Sequence, residues 1–264
     1  MFKKVFLIFA LFIFGALKQN ITEKPPELNI RKIEHNAFKV GERLLYDVKY
    51  KFIKVGEAEI SIPEIVDYNG RKCYRAVFRV WSLPFFSVFY KVEDKYESLI
   101  DVDGIFPWRF EQRIREGGYK RDFYAEFDHV NLIARTSEGV FPIPRYAQDV
   151  FSAFYYARTQ DYSDKKPGDR MKLENFYRNK TYPLEIKYLG EQTVKVKAGT
   201  FKCVVVEPLI VEGGLFKAKG RFLLWITNDD KKIPVKMTAE IPIGDIDGEL
   251  RAFEGVEKIG AKID

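Results

Sequence analysis

Few side chains in this 264-residue chain stand in a pattern that could carry covalent or acid–base chemistry. There are two histidines, His35 and His129, and two cysteines, Cys73 and Cys203. A catalytic histidine needs a nucleophile within reach and a carboxylate to orient it. No Gly-x-Ser-x-Gly elbow supplies the nucleophile. His35 lies in a polar stretch, and His129 follows Asp128 where a strand should end, so His129 reads as a surface turn residue. Asp101-Val102-Asp103-Gly104 and Asp245-Ile246-Asp247-Gly248 look like the start of a calcium loop. The bidentate glutamate is missing at the required spacing, and Asp with Gly is what a tight turn needs anyway. No Gly-x-x-x-x-Gly-Lys phosphate loop occurs. The reading is no catalytic residue, no metal and no cofactor.

The N-terminus sets the compartment in which the cysteines are read. Lys3 and Lys4 precede an apolar run from Val5 to Leu17, with Gly15 and Ala16 where cleavage would fall. That is the layout of a secretory signal peptide, and the run is short of the ~20 residues a spanning helix takes. Removing Lys3 and Lys4 lowers the formal charge from +6 to +4. The remaining charges are interleaved, as in Arg109-Phe110-Glu111-Gln112-Arg113, which describes a solvated surface and not a nucleic-acid stripe. In an exported chain, Cys73 and Cys203 invite a disulfide; the alternative is two buried free thiols. The bond would close a loop of about 130 residues, worth ~4–5 kcal/mol in the chain-entropy model.

Aromatic residues make up 16% of the chain, enough for a dense core or for a groove that holds an apolar ligand. Trp81-Ser82-Leu83-Pro84-Phe85-Phe86-Ser87-Val88-Phe89-Tyr90 is the strongest interaction candidate. A central proline argues against a continuous inner strand. The segment is either an apolar loop at a groove mouth or a buried, bulged strand. The groove candidates are Trp81, Phe85, Phe86, Phe89, Trp108, Phe151, Phe154, Tyr155 and Trp225.

These residues must be placed by elements of period two. Tyr46, Val48, Tyr50 and Phe52 alternate with Asp47, Lys49 and Lys51; Ala58, Ile60 and Ile62 alternate with Glu57, Glu59 and Ser61. Such strands pack one face and wet the other, and Tyr68-Asn69-Gly70, Asp103-Gly104 and Gly117-Gly118 join them as hairpins. One segment breaks the period. Apolar residues at 150, 151, 154 and 155 have helical spacing, with Pro142 and Pro144 before them and Pro167-Gly168 after. The two halves on either side echo each other. Gly70-Arg71-Lys72-Cys73 answers Gly199-Thr200-Phe201-Lys202-Cys203, and Leu99-Ile100-Asp101 to Pro107 answers Trp225-Ile226-Thr227 to Pro234.

Gly41-Glu42-Arg43-Leu44-Leu45-Tyr46, Asp149-Val150-Phe151-Ser152-Ala153-Phe154-Tyr155-Tyr156-Ala157-Arg158, Ala198-Gly199-Thr200-Phe201-Lys202-Cys203 and Trp225-Ile226-Thr227-Asn228-Asp229 to Pro234 occur in this order. Together they resemble the bacterial envelope family called domain of unknown function 3108, over roughly residues 38–252. That family carries no catalytic residues over. The Trp-Ile strand, Asp turn and proline are also similar to the periplasmic lipoprotein-carrier proteins. Their half-open curved sheets with a helix-lined apolar groove imply an acyl-chain site. The first half departs from them, with Asp101 at the Thr position and Phe106 before the proline.

The sequence thus predicts an all-β, mainly antiparallel protein of two related curved-sheet or half-barrel modules with one central linking helix. The expected divisions are a signal peptide (1–17), a polar tether (18–37), a first β module (38–144), the helix (145–160) and a second β module (161–264). The expected function is non-enzymatic, in the periplasm or cell envelope: binding a lipid, lipoprotein or other apolar component on a concave face. A scaffold that meets a protein partner through sheet edges or the aromatic loop is the alternative, and an envelope-polymer hydrolase the remote one. No nucleic acid and no transmembrane segment beyond the signal are expected.

Overall fold

The computed structural model describes residues 29–210, 220–241 and 244–263; the signal segment and the first part of the tether lie outside them. Among the described residues, fourteen strands form one antiparallel sheet. The first half is a meander: β1 (Arg43–Tyr50), β2 (Ile53–Tyr68), β3 (Arg71–Ser82), a one-turn helix α1 (Pro84–Ser87), β4 (Glu93–Asp101), β5 (Pro107–Glu116), β6 (Tyr119–Asp128), β7 (Ile133–Thr136) and β8 (Gly139–Pro142). Helix α2 (Val150–Arg158) follows. The second half is β9 (Arg170–Tyr177), β10 (Lys180–Val196), β11 (Gly199–Ile210), β12 (Phe222–Thr227), β13 (Pro234–Ile241) and β14 (Gly244–Glu254). Antiparallel pairing of β1 with β14, from Arg43↔Glu254 to Tyr50↔Ile246, fuses the two meanders into one curved sheet. Its outer ends, β8 and β9, are not hydrogen-bonded to each other in the strand order. Gln148, between β8 and α2, pairs with the β9 edge instead: its N–H donates to Glu174 O at 2.7 Å, and its carbonyl accepts from Phe176 N at 2.7 Å.

The echo in the sequence corresponds to matching corners. Asp101 N donates to Phe106 O and Thr227 N to Ile233 O, each at 2.8 Å. Val102 N donates to Lys72 O, and Asn228 N to Lys202 O. Cys73 pairs with Asp101 across the ladder, and Cys203 with Thr227. The first corner is held by the buried Asp101 carboxylate, which accepts from Arg71, from Trp108 Nε1 at 2.9 Å and from Gly104 N at 2.8 Å. The Asp101 carboxylate is thus spent on holding the corner, and no group of three or more metal-binding side chains occurs among the described residues.

The matched corners also explain why the expected disulfide does not form. Cys73 and Cys203 occupy like places in the two halves, with five strands between β3 and β11, and both are free and buried. Each thiol lies against the carbonyl two residues before it, Arg71 O at 3.6 Å and Phe201 O at 3.7 Å.

Helix α2 lies against the interior of the sheet and touches all three apolar clusters of the core. Its start is fixed by Asp149, whose Oδ1 accepts from Phe151 N at 2.7 Å and Ser152 N at 2.9 Å, while Ser152 Oγ accepts from Asp149 N. This reciprocal cap satisfies donors that a helix start otherwise leaves unpaired. Ser98 Oγ on β4 donates to the other carboxylate oxygen at 2.6 Å, tying the cap to the first half. At the other end, Arg158 is fully buried. Its guanidinium donates to both carboxylate oxygens of Glu42 at 2.6 and 2.7 Å, to Ala37 O at 3.0 Å, and to the carbonyls of Lys231 and Lys232 at 3.2 and 3.0 Å.

Residues 29–37, read as part of a tether, are docked. The Arg31 guanidinium donates to Gly104 O at 2.8 Å and lies 4.4 Å and 4.7 Å from the Tyr146 and Tyr156 ring centroids. Ile33 N donates to Asp103 O at 2.8 Å, and Ala37 and Phe38 are buried in the core.

Truncating one member of the Arg158–Glu42 pair strands a buried charge. Arg158→Met is expected to lower unfolding stability by about 3–5 kcal/mol, and the double variant Arg158→Met/Glu42→Leu to recover most of it, as read by urea titration. Burial pushes both thiols up to about 12. The folded protein should therefore resist alkylation at pH 8 and take up two labels only in denaturant, with the intact mass of a dithiol.

Candidate functional site

Between α2 and the sheet lies an apolar cavity of about 330 Å³. It exists because the helix turns two alanines, Ala153 and Ala157, toward β10–β12, where larger side chains would fill the space. Phe151 and Phe154 flank these alanines, and Leu184, Ile186, Val206 and Leu224 form the opposite wall. Ile60 and Phe78 close it from the first half. The wall is almost wholly apolar. One exception is Asn175 on β9, whose Oδ1 is buried at the lining with no hydrogen-bond partner. A buried amide oxygen left unpaired is costly, so it marks where a bound group with a donor would be favoured.

Of the nine groove candidates, Phe151 and Phe154 line this cavity. Tyr155 does not: it points the other way along the helix and is fully buried in the core, 4.7 Å from the Phe38 ring centroid. Trp108 belongs to the Asp101 corner, edge-on to Phe106 at 5.3 Å. The Trp225 indole donates to Gln192 at 2.7 Å, with the Lys236 ammonium 5.6 Å from its ring. Trp81, next to last in β3, lines a separate cleft. Phe85 and Phe86 belong to α1 and Phe89 follows it, with Phe85 and Phe89 strongly exposed, so the segment around Pro84 is a projecting turn and not a buried strand. The cavity residues that the sequence reading missed are chiefly Ala153, Ala157 and Asn175. The readable signal was the pair of alanines one helical turn apart on a helix otherwise rich in rings.

The cleft at Trp81 has a volume of about 910 Å³ and is basic: Arg79, Lys91, Lys95, Arg113, Arg115 and Lys120 line it, against Glu93 and Asp94.

His129 is not at the surface. It is fully buried, stacked on Phe127 and edge-on to Phe106. Tyr146 N donates to its Nδ1 at 3.2 Å, so Nε2 carries the proton and donates to Pro107 O at 2.8 Å. Both nitrogens are occupied by backbone, and no nucleophile adjoins them. Burial holds the ring neutral and lowers it from 6.5 to about 4. Burial, with Arg158 nearby, does the same to His35. Burial acts in the opposite direction on Asp149, raising it to about 6 despite the three hydrogen bonds its carboxylate accepts.

The two histidines release stability as pH falls. Between about 6.5 and 4 the unfolded chain takes protons that the folded chain refuses, so their contribution is full above 6.5 and lost toward 4. Asp149 opposes this, because its folded carboxyl holds a proton up to about 6 that the unfolded one has lost. Urea midpoints measured from pH 7 to pH 4 should fall. The fall should be shallower in His129→Gln and steeper in Asp149→Asn; an unchanged slope in His129→Gln would contradict the assignment.

A solved structure from Brucella abortus, a β-barrel-like protein of domain of unknown function DUF1849, superposes with a TM-score of 0.53 at 10% identity, covering 87% of this chain and all (100%) of that one. A Bacteroides fragilis protein with a YmcC-like fold, whose description proposes that it is exported, gives a TM-score of 0.40 at 13% identity and covers 84% of this chain and 99% of its own. A Parabacteroides distasonis protein described as a proposed lipoprotein gives 0.37 at 9% identity, with the same coverage of 84% and 99%. No curated protein matches the chain by sequence. The family described as protein of unknown function, DUF3108, matches residues 45–251, and the chain belongs to it.

Proposed function

We propose that this is an exported, non-enzymatic envelope protein that holds one slender apolar group, such as a single acyl chain, between α2 and the sheet. The observation that carries the reading is the apolar cavity beside Ala153 and Ala157. At about 330 Å³ it sits at the low end of ligand pockets, which run ~300–1,000 Å³. Taking a methylene as about the ~30 Å³ share of a water, it admits a chain of roughly ten carbons and not the several chains of a lipoprotein. Burial of ten methylenes at ~0.8 kcal/mol each gives about 8 kcal/mol before association costs. Asn175 Oδ1 would accept from a hydroxyl or amide N–H on the bound group. The β-barrel-like neighbour supports the fold. Export rests on the charged-then-apolar start of the sequence. Among the described residues no helix is long and apolar enough to cross a membrane.

Native mass spectrometry of the protein purified from the envelope should show an adduct of acyl-chain mass. Ala153→Phe, which fills the cavity from the helix, should abolish the adduct and the uptake of an apolar fluorescent probe, while thermal unfolding confirms the fold. A clean apo mass without probe uptake, or an Ala153→Phe variant that binds as well as the parent, would overturn the reading.

A further inference from the structure

In an up-and-down sheet the turns that follow β1, β3, β5 and β7 share one rim. Backbone bonds tie them together, with Leu83 N donating to Val55 O and Gly117 N to Lys91 O. The exposed apolar side chains of this protein are not scattered over its surface. Eight large apolar residues among those described are more than half exposed, and seven of them stand on or next to this rim; the other, Ile263, is at the far end beside Thr200. Phe52 is 84% exposed, Val88 81%, Phe89 77% and Phe85 70%. The α1 turn holds its rings outward through Ser87, whose hydroxyl donates to Leu83 O at 3.0 Å and meets Ser82 Oγ at 2.7 Å, and through edge-on packing of Phe85 on Phe86 and Phe89. A folded chain gains nothing from such rings in water.

Charge at the same place names the partner. The basic cleft adjoins α1 through Trp81, Ser82 and Ser87. Lys91, Lys95, Arg113 and Arg115 in it are paired with Glu93, Glu97 and Asp122. Arg79 and Lys120 have no carboxylate partner among the described residues. Projecting rings beside a cationic cleft match an interface that is apolar below and anionic above, which is a bilayer of acidic lipids. We propose that this rim docks on an anionic lipid surface, with Phe85, Val88 and Phe89 entering the acyl boundary and the cleft taking the headgroup phosphates. The surface stands on exposure and charge, so its failure leaves the cavity reading intact. Tyr177, Leu184 and Phe222 place the cavity in the rim half of the strands, which would bring it toward the lipid.

The test is local, so that an apolar N-terminal segment cannot imitate it. The full chain carrying Phe89→Cys is labelled with an environment-sensitive dye, the two native thiols being buried. It is mixed with vesicles of phosphatidylglycerol and brominated phosphatidylcholine. The expected result is quenching at residue 89 that falls several-fold in neutral vesicles, in high salt and in Arg79→Glu/Lys120→Glu. The same dye at Ile263→Cys should stay unquenched. Absence of quenching at residue 89, equal quenching at both positions, indifference to lipid charge, or a concentration-dependent dye shift without vesicles (burial by a second copy) would each overturn the proposal.

Discussion

The burial of one guanidinium constrains most of this structure. Arg158 belongs to the helix, its carboxylate partner Glu42 to the residue before β1, its carbonyl partners to the strap at Ala37 and to the β12–β13 turn at Lys231 and Lys232. A buried cation must have its donors met, and here three separate segments meet them. The Phe38, Phe154 and Tyr155 rings lie within 5.3 to 5.9 Å of it and complete its surroundings. The pair is a weak source of net stability but a strong source of uniqueness, since any other seating of α2 leaves a charge in the core without its partner. That seating in turn decides which helix residues face β10–β12, and so decides that a cavity exists there.

Much of the architecture is legible in the residues. Period-two alternation locates the strands, and helical spacing with an Asp149–Ser152 cap locates α2. The Gly–Cys and Asp/Thr–Pro echoes correspond to corners closed by equivalent backbone bonds. Arg158 itself is not legible, because a lone arginine in a last helical turn reads as a solvated partner of the helix dipole. The docked strap is equally hidden. Lys32, Glu34 and Asn36 face solvent while Arg31, Ile33, His35 and Ala37 turn inward, but two of the four inward residues are polar or charged, so hydropathy does not show the alternation. His129 misleads for a similar reason. Its position after a strand suggests a turn, but two backbone partners and an aromatic surround make it a buried wedge.

The site was half legible. Rings announce themselves in a sequence, so Phe151 and Phe154 were found, yet the void is defined by the small residues between them. Emptiness depends on what several strands present to one helix face, and that is set by register. Trp108, Tyr155 and Trp225 show the converse. Each is large and apolar, and each is used for a hydrogen bond or for core packing elsewhere, because aromatic side chains serve as structural anchors more often than as ligand walls.

The pairing of β1 with β14 carries a kinetic consequence. Arg43 meets Glu254 across almost the whole length of the chain, whereas every other pair of neighbouring strands is consecutive in sequence. Thirteen strand pairings are made in the sheet order, and twelve of them are local hairpins that form without waiting for distant chain. The last demands closure of a very long loop, and the Arg158 pair with Glu42 demands a second one. A chain emerging from its N-terminus can therefore assemble the first meander early, but β1 keeps an open edge until β14 arrives. The interval in which that edge is bare is when this protein is most exposed to pairing with the wrong strand.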